Sequence, residues 1–323
     1  MSRITRFNLL LAIGIVLALL VSLAVGKVSV PWAIWGGADP RWLIITELRL
    51  PRTVLAAVVG AGLGLSGAAM QGYLRNPLAD PGLFGVSSGA ALGAVISLYF
   101  GYAASAWLLP LCALTGAAGA MALLALLVGR SASLILFTLA GVILSSVAGS
   151  LTALAISLAP TPFVTSQIVT WLMGALTDRS WGDVWIALPI IAAGAALLAM
   201  TGRALDALTL GENAARTLGV DPLRLRVLIV LGVGLCVGAS VATAGVIGFV
   251  GLMVPHLVRP FVGHRPSALL LPSALGGALL LLLADSVVRG LPTVSELRLG
   301  IAMAMLGGPF FLVLLLKMRR GLA

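Results

Sequence analysis

Three arginines, Arg49, Arg52 and Arg289, stand out as residues able to recognise another molecule. Arg49 and Arg52 belong to the run Arg-Leu-Pro-Arg at the start of a long apolar stretch, and Arg289 ends another. A guanidinium group binds a carboxylate through two parallel hydrogen bonds, which fix orientation as well as supplying attraction. These arginines are therefore candidates for binding carboxylates. The alternative is that their long side chains only extend from helix ends towards lipid headgroups.

Residues suited to catalysis or metal binding are scarce. The sequence has no Gly-x-x-x-x-Gly-Lys-Ser/Thr motif, so this chain does not hydrolyse ATP through a P-loop. His256 and His264 belong to no His-x-x-x-His pair or Cys/His cluster, and Cys112 and Cys236 lack metal-ligand spacing. Asp285 lies deep in an apolar run, and Arg289 four positions later predicts an ion pair rather than a proton relay. We expect no catalytic residue, metal site or cofactor in this chain.

Composition places the chain in a membrane. Of its 323 residues, 60% are hydrophobic and 9% are charged, whereas about 25% are charged in ordinary soluble domains. The apolar stretches are continuous rather than alternating, which excludes an outer-membrane barrel. The net charge of +10 comes from single basic residues and pairs, so membrane topology explains it better than nucleic-acid binding. We predict an all-α polytopic membrane protein with a single transmembrane domain, residues 1–323.

The sequence contains ten apolar runs that suit membrane-spanning helices. They lie at about residues 7–26, 53–73, 82–101, 105–128, 132–158, 184–202, 227–245, 246–258, 268–288 and 299–316. An even number of spans places both termini on one side, and thirteen of the 20 basic residues share that side. The positive-inside rule identifies it as the cytoplasm. All seven tryptophans fall at the opposite helix ends, as interfacial tryptophans often do.

Two inner segments interrupt the apolar pattern. In residues 76–81, two prolines break the helical pattern, and irregular backbone near a membrane is tolerated where protein or a water-filled cavity satisfies it. This segment predicts a narrow inner constriction; an ordinary loop is the alternative. Residues 205–224 are the longest polar inner stretch, in which Gly211 and Gly219 bracket a short amphipathic helix. Such a helix suits docking into a groove of a partner protein.

Four motifs occur in a specific order along the chain. They are Arg49–Arg52 with 67–72, 76–81 and 85–90; Gly211–Val220; Gly245–His256; and Glu296–Gly300 with 307–311. With them the chain resembles the FecCD/BtuC-like permease subunits of type II ABC importers, from about residue 30 to its end. The resemblance implies a ten-helix, BtuC-like fold. One departure is Arg298, where the family usually has proline; it puts a kink before the last helix in doubt and adds an outer positive charge.

The resemblance also implies roles for particular residues. A coupling helix that contacts the ATPase is implied for Gly211, Glu212, Ala214, Ala215, Arg216, Leu218 and Gly219. The arginines Arg49, Arg52 and Arg289 match positions that face carboxylates on a periplasmic binding protein. Asn76 and Leu78 match positions that narrow the cytoplasmic end of the transport route. Small residues that could line this route between two permeases are Ser87, Ser88 and Gly89.

The expected function is that of a permease subunit, not an enzyme, in the bacterial inner membrane. Two such subunits, identical or paralogous, would work with two ABC ATPases that bind ATP and Mg²⁺ and with a periplasmic substrate-binding protein. The expected substrate is an iron(III)-siderophore-type chelate, because most family members of this kind serve iron uptake. Cobalamin and haem stay open as alternatives. Outside the family, the rival is a proton-coupled secondary carrier, which would transport without an ATPase.

Overall fold

The structure is a computed structural model that describes residues 3–31, 35–37, 39–102, 105, 107–129, 134–293 and 295–321. Within these ranges the chain folds into thirteen α-helices and contains no β-strand. The helices are α1 Arg3–Ala24, α2 Leu50–Leu74, α3 Val86–Tyr99, α4 Leu108–Val128, α5 Leu134–Ser157, α6 Pro162–Leu172, α7 Trp181–Ala199, α8 Gly202–Leu208, α9 Glu212–Thr217, α10 Pro222–Ala244, α11 Val250–Val262, α12 Pro266–Gly290 and α13 Leu299–Gly321.

A helix covers each of the ten predicted apolar runs. Eight are long and apolar enough to cross a membrane, when α2 is counted together with the π-helical turn Ile44–Arg49 that precedes it. The other two, α3 and α11, have only 14 and 13 residues, fewer than the ~20 that a span needs. The helix α11 follows the irregular segment 245–249, and α3 follows the segment 75–85, in which only Pro81–Phe84 form a 3₁₀ helix. A membrane span formed by α3 or α11 would need backbone outside the α-helix to complete it, and the surrounding protein must satisfy that backbone.

Burial separates central helices from peripheral ones. In the apolar stretch of α2 with its preceding turn, 78% of residues are buried inside the protein, and in α10 the share is 72%. The corresponding shares are 11% in α1, 17% in α5 and 22% in α13. The bundle is therefore built around α2, α10 and α12, and the outward faces of α1, α5 and α13 are left for lipid or another chain.

Glycine brings α2 and α12 into backbone contact. A methyl group added at Gly60 would overlap the carbonyl oxygen of Gly277, and one added at Gly64 would overlap that of Ser273. Gly60 and Gly64 are four residues apart, so they lie on one face of α2. Small residues at this spacing allow helix packing that does not depend on a hydrophobic driving force, which is absent between helices in lipid.

The bundle has two distinct ends. We call the end where α1 begins the terminal end; Phe7 of α1 stacks there on Phe261 near the end of α11, with ring centroids 4.7 Å apart. At the same end Asp206 of α8 accepts a hydrogen bond from the amide of Ser267, at 2.9 Å. The opposite, distal end carries the starts of α2, α4, α7 and α13. Tryptophans cluster at this distal end; those described are Trp35, Trp42, Trp107, Trp171, Trp181 and Trp185, and Trp32 lies outside the described residues.

Candidate functional site

Five charged residues form the distal ion-pair cluster: Arg49, Arg52, Asp285, Arg289 and Glu296. Arg52 of α2 donates to both carboxylate oxygens of Asp285 on α12, from Nη2 at 2.8 Å and from Nε at 3.0 and 3.1 Å. Its Nη1 donates to Glu296, also at 2.8 Å. Asp285 has no solvent exposure, and its second oxygen lies 3.2 Å from Nη2 of Arg289. The predicted Asp285–Arg289 ion pair is confirmed, and Arg52 is its unpredicted third member.

Hydrogen bonds to α1 extend the cluster. Arg49 donates through Nη1 to the carbonyl oxygens of Leu23 and Ala24, at 2.7 and 2.9 Å, and through Nη2 to that of Val28. These carbonyls lie at the end of α1 or just beyond it, where backbone acceptors have no partner within the helix. Arg289 donates to the hydroxyl of Ser22. The cluster thus joins α1, α2 and α12 at the distal end.

Burial of the three arginines bears on their predicted docking role. Arg49, Arg52 and Arg289 are 5%, 8% and 5% exposed, and each already has oxygen partners in this chain. A carboxylate of a binding protein would have to displace or share these partners, so the docking role stays a prediction. Glu296 is the most accessible acidic member, with 19% of its side chain exposed. Partial burial raises its pKa, but Arg52 outweighs burial and holds the pKa of Glu296 below its usual value.

Some members of this site were missed by sequence reasoning. Glu296 belongs to a quoted motif, but nothing in the sequence connects it to Arg52, 244 positions earlier. The hydroxyl of Thr177 also donates to Glu296, at 3.0 Å, and that of Ser22 pairs with Thr53 at 2.7 Å. Isolated serines and threonines give no pattern in a single sequence, so no signal marked these partners.

At the terminal end, α9 forms the short helix expected in residues 205–224. Gly211 precedes it with φ of 102°, and Gly219 follows it with φ of 83°. Both values lie in the region that residues with a side chain rarely adopt, which explains why glycine brackets this helix. The first turn carries Glu212 and the last carries Arg216, which matches the helix dipole at each end.

The side chains around α9 divide into an inner and an outer set. Ala215 is 2% exposed and contributes to a small cleft with Tyr73, Leu208 and Leu225 of this chain. Its methyl group is thus a contact within the chain, where the sequence predicted a contact with the ATPase. The side chains that are open to a partner are instead those of Arg216, Leu210 and Leu218. Leu210 is 67% exposed and Leu218 is 63% exposed. Glu212 and Ala214 are half-buried between the two sets.

The segment that follows α2 forms a compact turn at the terminal end. Arg75 adopts a left-handed conformation that ends α2, and the side-chain oxygen of Asn76 accepts a hydrogen bond from the amide of Leu78, at 2.9 Å. Asp80 accepts from the amide of Gly82 in the same way, at 2.6 Å. Asn76 is exposed and Leu78 half-buried, so the apolar side chain of Leu78 is partly open at this end. Burial raises the pKa of Asp80 above its usual value, although the hydrogen bond from Gly82 opposes the shift.

The small residues predicted to line the route have different surroundings. Ser87 and Ser88 lie half-buried in the first turn of α3. Gly89 is buried, and a methyl group added there would come within 2.6 Å of the side chain of Ala120 and 2.7 Å of the carbonyl oxygen of Gly116, both on α4. The close contact between α3 and α4 therefore explains Gly89 in this structure, and a lining role remains a prediction for it and the two serines.

In the described part of the chain, no three His, Cys, Asp or Glu side chains come together as a candidate metal site. In the distal ion-pair cluster, Arg52 and Arg289 pair with the carboxylates, and Arg49 binds backbone carbonyls. Chemically, this arrangement suits helix anchoring and recognition rather than bond breaking.

The chain is similar to known proteins over nearly its whole length. Residues 13–317 match the FecCD transport family. The chain is 40% identical over 293 residues to the uncharacterised ABC transporter permease protein YvrB of Bacillus subtilis, covering 88% of this chain and 82% of that protein. It is 39% identical over 320 residues to the vitamin B12 import system permease protein BtuC of Salmonella paratyphi A, covering 98% and 97% of the two chains.

Solved structures give the same result. A chain described as part of a metal-chelate type ABC transporter in an inward-facing conformation superposes with a TM-score of 0.89 at 34% identity, over 97% of this chain and 99% of that chain. The PsaBC complex from Streptococcus pneumoniae includes a chain with a TM-score of 0.57 at 19% identity, covering 81% and 89%, which shows a shared fold only. The predicted all-α, BtuC-like fold is confirmed. This chain therefore belongs to the FecCD transport family and is a multi-pass permease subunit of an ABC importer.

Proposed function

We propose that this permease imports a chelated metal, with an iron(III)-siderophore-type chelate as its cargo and ATP hydrolysis supplied by a separate subunit. The similarity in shape to a metal-chelate type transporter over 97% of the chain carries this proposal. The 39% identity to a vitamin B12 permease supports cobalamin as the second candidate. Haem is a further alternative, because it is also a bulky metal complex.

The two ends of the bundle suit different partners. At the terminal end, Leu210 and Leu218 flank α9 and expose apolar surface that an ATPase groove would cover. Basic residues are more numerous at this end, which supports a cytoplasmic position for it and for both termini. At the distal end, Arg49, Arg52 and Arg289 are the proposed contacts for acidic residues of a periplasmic binding protein.

A second permease copy, identical or paralogous, would complete the transport route. The peripheral helices α5 and α13 have the apolar, exposed faces that such a copy or lipid must cover; exposed leucines on them include Leu139, Leu151, Leu306 and Leu312. Ser87, Ser88 and Gly89 are proposed to lie near that route, on α3 beside α5.

ATP-driven uptake into proteoliposomes tests the function. The permease and its ATPase are reconstituted with the binding protein outside, and radiolabelled ferric trihydroxamate, ferric tricatecholate, cyanocobalamin and haem are supplied separately. We expect accumulation of the iron chelate only when ATP is enclosed and the ATPase is active. Preferential cobalamin or haem uptake would replace the siderophore assignment. Uptake that continues without the ATPase would instead show a secondary carrier.

The segment 76–81 is proposed as the cytoplasmic gate of the route. Two copies of this turn at the terminal end would bring two Leu78 side chains towards each other, and an apolar constriction holds back water by dewetting. The Asn76 side chain fixes the position of Leu78 through the hydrogen bond to its amide. Asn76 thereby acts on the gate through the backbone.

Leu78→Ala is expected to loosen this gate. Leu78 is half-buried in a turn, so shortening it leaves a smaller cavity than a core substitution would. Substrate enclosed in proteoliposomes should then leave several-fold faster without ATP, whereas Leu210→Ala, at the same end but outside the turn, should not leak. A Leu78→Cys variant that never crosslinks to its second copy, in any nucleotide state, would place the gate elsewhere.

A further inference from the structure

A polar cavity of about 350 Å³ lies at the distal end, beside α6 and the start of α13. Its lining includes Trp171, Asp178, Arg179 and Arg298. The loop that carries Arg179 is fixed in place: the amide of Ala175 donates to the carbonyl of Ala244 at 2.8 Å, and that of Gly300 donates to the carbonyl of Gly174 at 3.1 Å. The cavity wall is therefore held by backbone bonds to α10 and α13.

Two residues that line this cavity carry unused hydrogen-bond donors. In the described part of the chain, Nε of Arg179 and Nε1 of Trp171 are buried and have no hydrogen-bond partner. Both are N–H groups that donate only, so an incoming acceptor oxygen would satisfy them. Buried polar groups without a partner are costly, so an acceptor oxygen bound next to these two donors would be stabilised.

The charges around the cavity also favour an anion. Arg179 forms a long ion pair with Asp183, with 3.7 Å between Nη1 and Oδ1, and the other oxygen of Asp183 accepts hydrogen bonds from the amide and hydroxyl of Ser180. Asp178 is exposed at the rim. Arg298 is half-buried, and among the residues that the structure describes no carboxylate lies within ion-pair distance of it. Glu296, the acidic residue nearest to it in sequence, is bound by Arg52 and Thr177.

The positive charges of Arg179 and Arg298 repel each other. Burial lowers the pKa of Arg179, Asp183 and Asp178 oppose this effect, and the positive charge of Arg298 lowers the pKa further. An anion between the two arginines would relieve this repulsion.

The cavity contains two unused donors and two neighbouring arginines. From these observations we infer that this permease receives a metal chelate with net negative charge, and that Arg179 and Arg298 contact its carboxylate or phenolate oxygens at the distal end. This inference rests on the proposed importer function and narrows its substrate class. It favours an anionic iron complex over electrically neutral cyanocobalamin.

Equilibrium dialysis of the permease–ATPase complex tests the inference in the absence of the binding protein. Two radiolabelled iron probes carry the same metal with six oxygen ligands but differ in charge: a ferric tricatecholate with three negative charges and a neutral ferric trihydroxamate. At low salt, we expect the tricatecholate to bind about tenfold more tightly, as charge-assisted hydrogen bonds would produce. Raising the salt concentration should reduce this preference, because ions screen charges at an open cavity.

Arg298→Gln should remove most of the preference for the anionic probe. Its side chain has no ion-pair partner among the described residues, so the fold should not depend on it. Arg298→Lys keeps the positive charge and should retain part of the preference. Arg41→Gln is the matched control, because Arg41 is a distal, exposed arginine that pairs with Asp39 away from the cavity. Equal binding of both probes to the unchanged complex, or equal losses in Arg298→Gln and Arg41→Gln, would overturn the inference.

The binding result is separable from the importer function. If ATP-driven uptake of iron chelates occurs but the charge preference is absent, only the inference about charge fails. The complex could instead bind the anionic probe through Arg298 while reconstituted vesicles accumulate none of the supplied substrates. In that case the proposal of metal-chelate import fails, and the anion site stands.

Discussion

Replacing Asp285 with asparagine is expected to lower the free energy of unfolding by about 3–5 kcal/mol, the usual cost of removing one partner from a buried ion pair. Asp285 has no solvent exposure, and it binds Arg52 through three short contacts and Arg289 through a fourth. The neutral amide cannot balance two buried guanidinium groups, and its NH₂ group would face their N–H donors. Thermal unfolding of the detergent-purified protein measures the effect.

Asp39→Asn is the matched control for that experiment. Asp39 also holds an arginine, Arg41, at 2.7 Å and at the same end of the protein, but the two side chains are 26% and 49% exposed. Exposed pairs contribute about 0–1 kcal/mol, so this variant should unfold almost as the unchanged protein does. A similar loss of stability in both variants would show that burial of the Asp285 cluster has no special importance.

Replacing Leu218 with glutamate is expected to weaken ATPase binding at least about 100-fold, which corresponds to about 2.7 kcal/mol. Leu218 is 63% exposed beside α9, so the permease itself should fold normally. In the proposed complex the same position lies in a groove of the ATPase, where an unpaired carboxylate loses its hydration. Leu218→Met keeps the apolar character and a similar volume, and should bind almost normally.

The measurement for Leu218 is a titration of purified permease with the ATPase, followed by uptake assays on each variant. ATPase binding by Leu218→Glu at the unchanged affinity would exclude this leucine from the interface. Ala215 is unsuitable for the same test because it is buried within the permease. An arginine at that position would disturb the packing of α9 on Leu208 and Leu225 before any partner is added.

Most helices and their approximate limits could be predicted because long apolar runs and glycine or proline at their ends are local signals, whereas α6 lies in none of the predicted runs. The bounds of α9 between Gly211 and Gly219 are an example. Its orientation could not be predicted, because six residues make fewer than two helical turns and leave the direction of the buried face unspecified. Gly89 was equally ambiguous, since a residue without a side chain suits a transport route and a close helix contact alike.

Of the ion pairs, the one within a single helix could be predicted and the one between two helices could not. Asp285 and Arg289 are four positions apart on one helix, so their contact follows from helical geometry. Arg52 and Asp285 are 233 positions apart, and their contact depends on how α2 packs against α12. That packing is set by the glycine contacts between the two helices, which a single sequence shows only as a high glycine content.

The separation of Arg52 and Asp285 by 233 positions has a consequence for biosynthesis. The ribosome adds ~5–20 residues per second, so Arg52 is synthesised about 10–50 s before its carboxylate partner Asp285. During that interval α2 carries an arginine whose acidic partners do not yet exist. This basic side chain then depends on lipid headgroups, water or the insertion machinery. The distal end of the first two helices therefore acquires its final charge balance only after α12 and Glu296, which follows it, have been synthesised and have packed against Arg52.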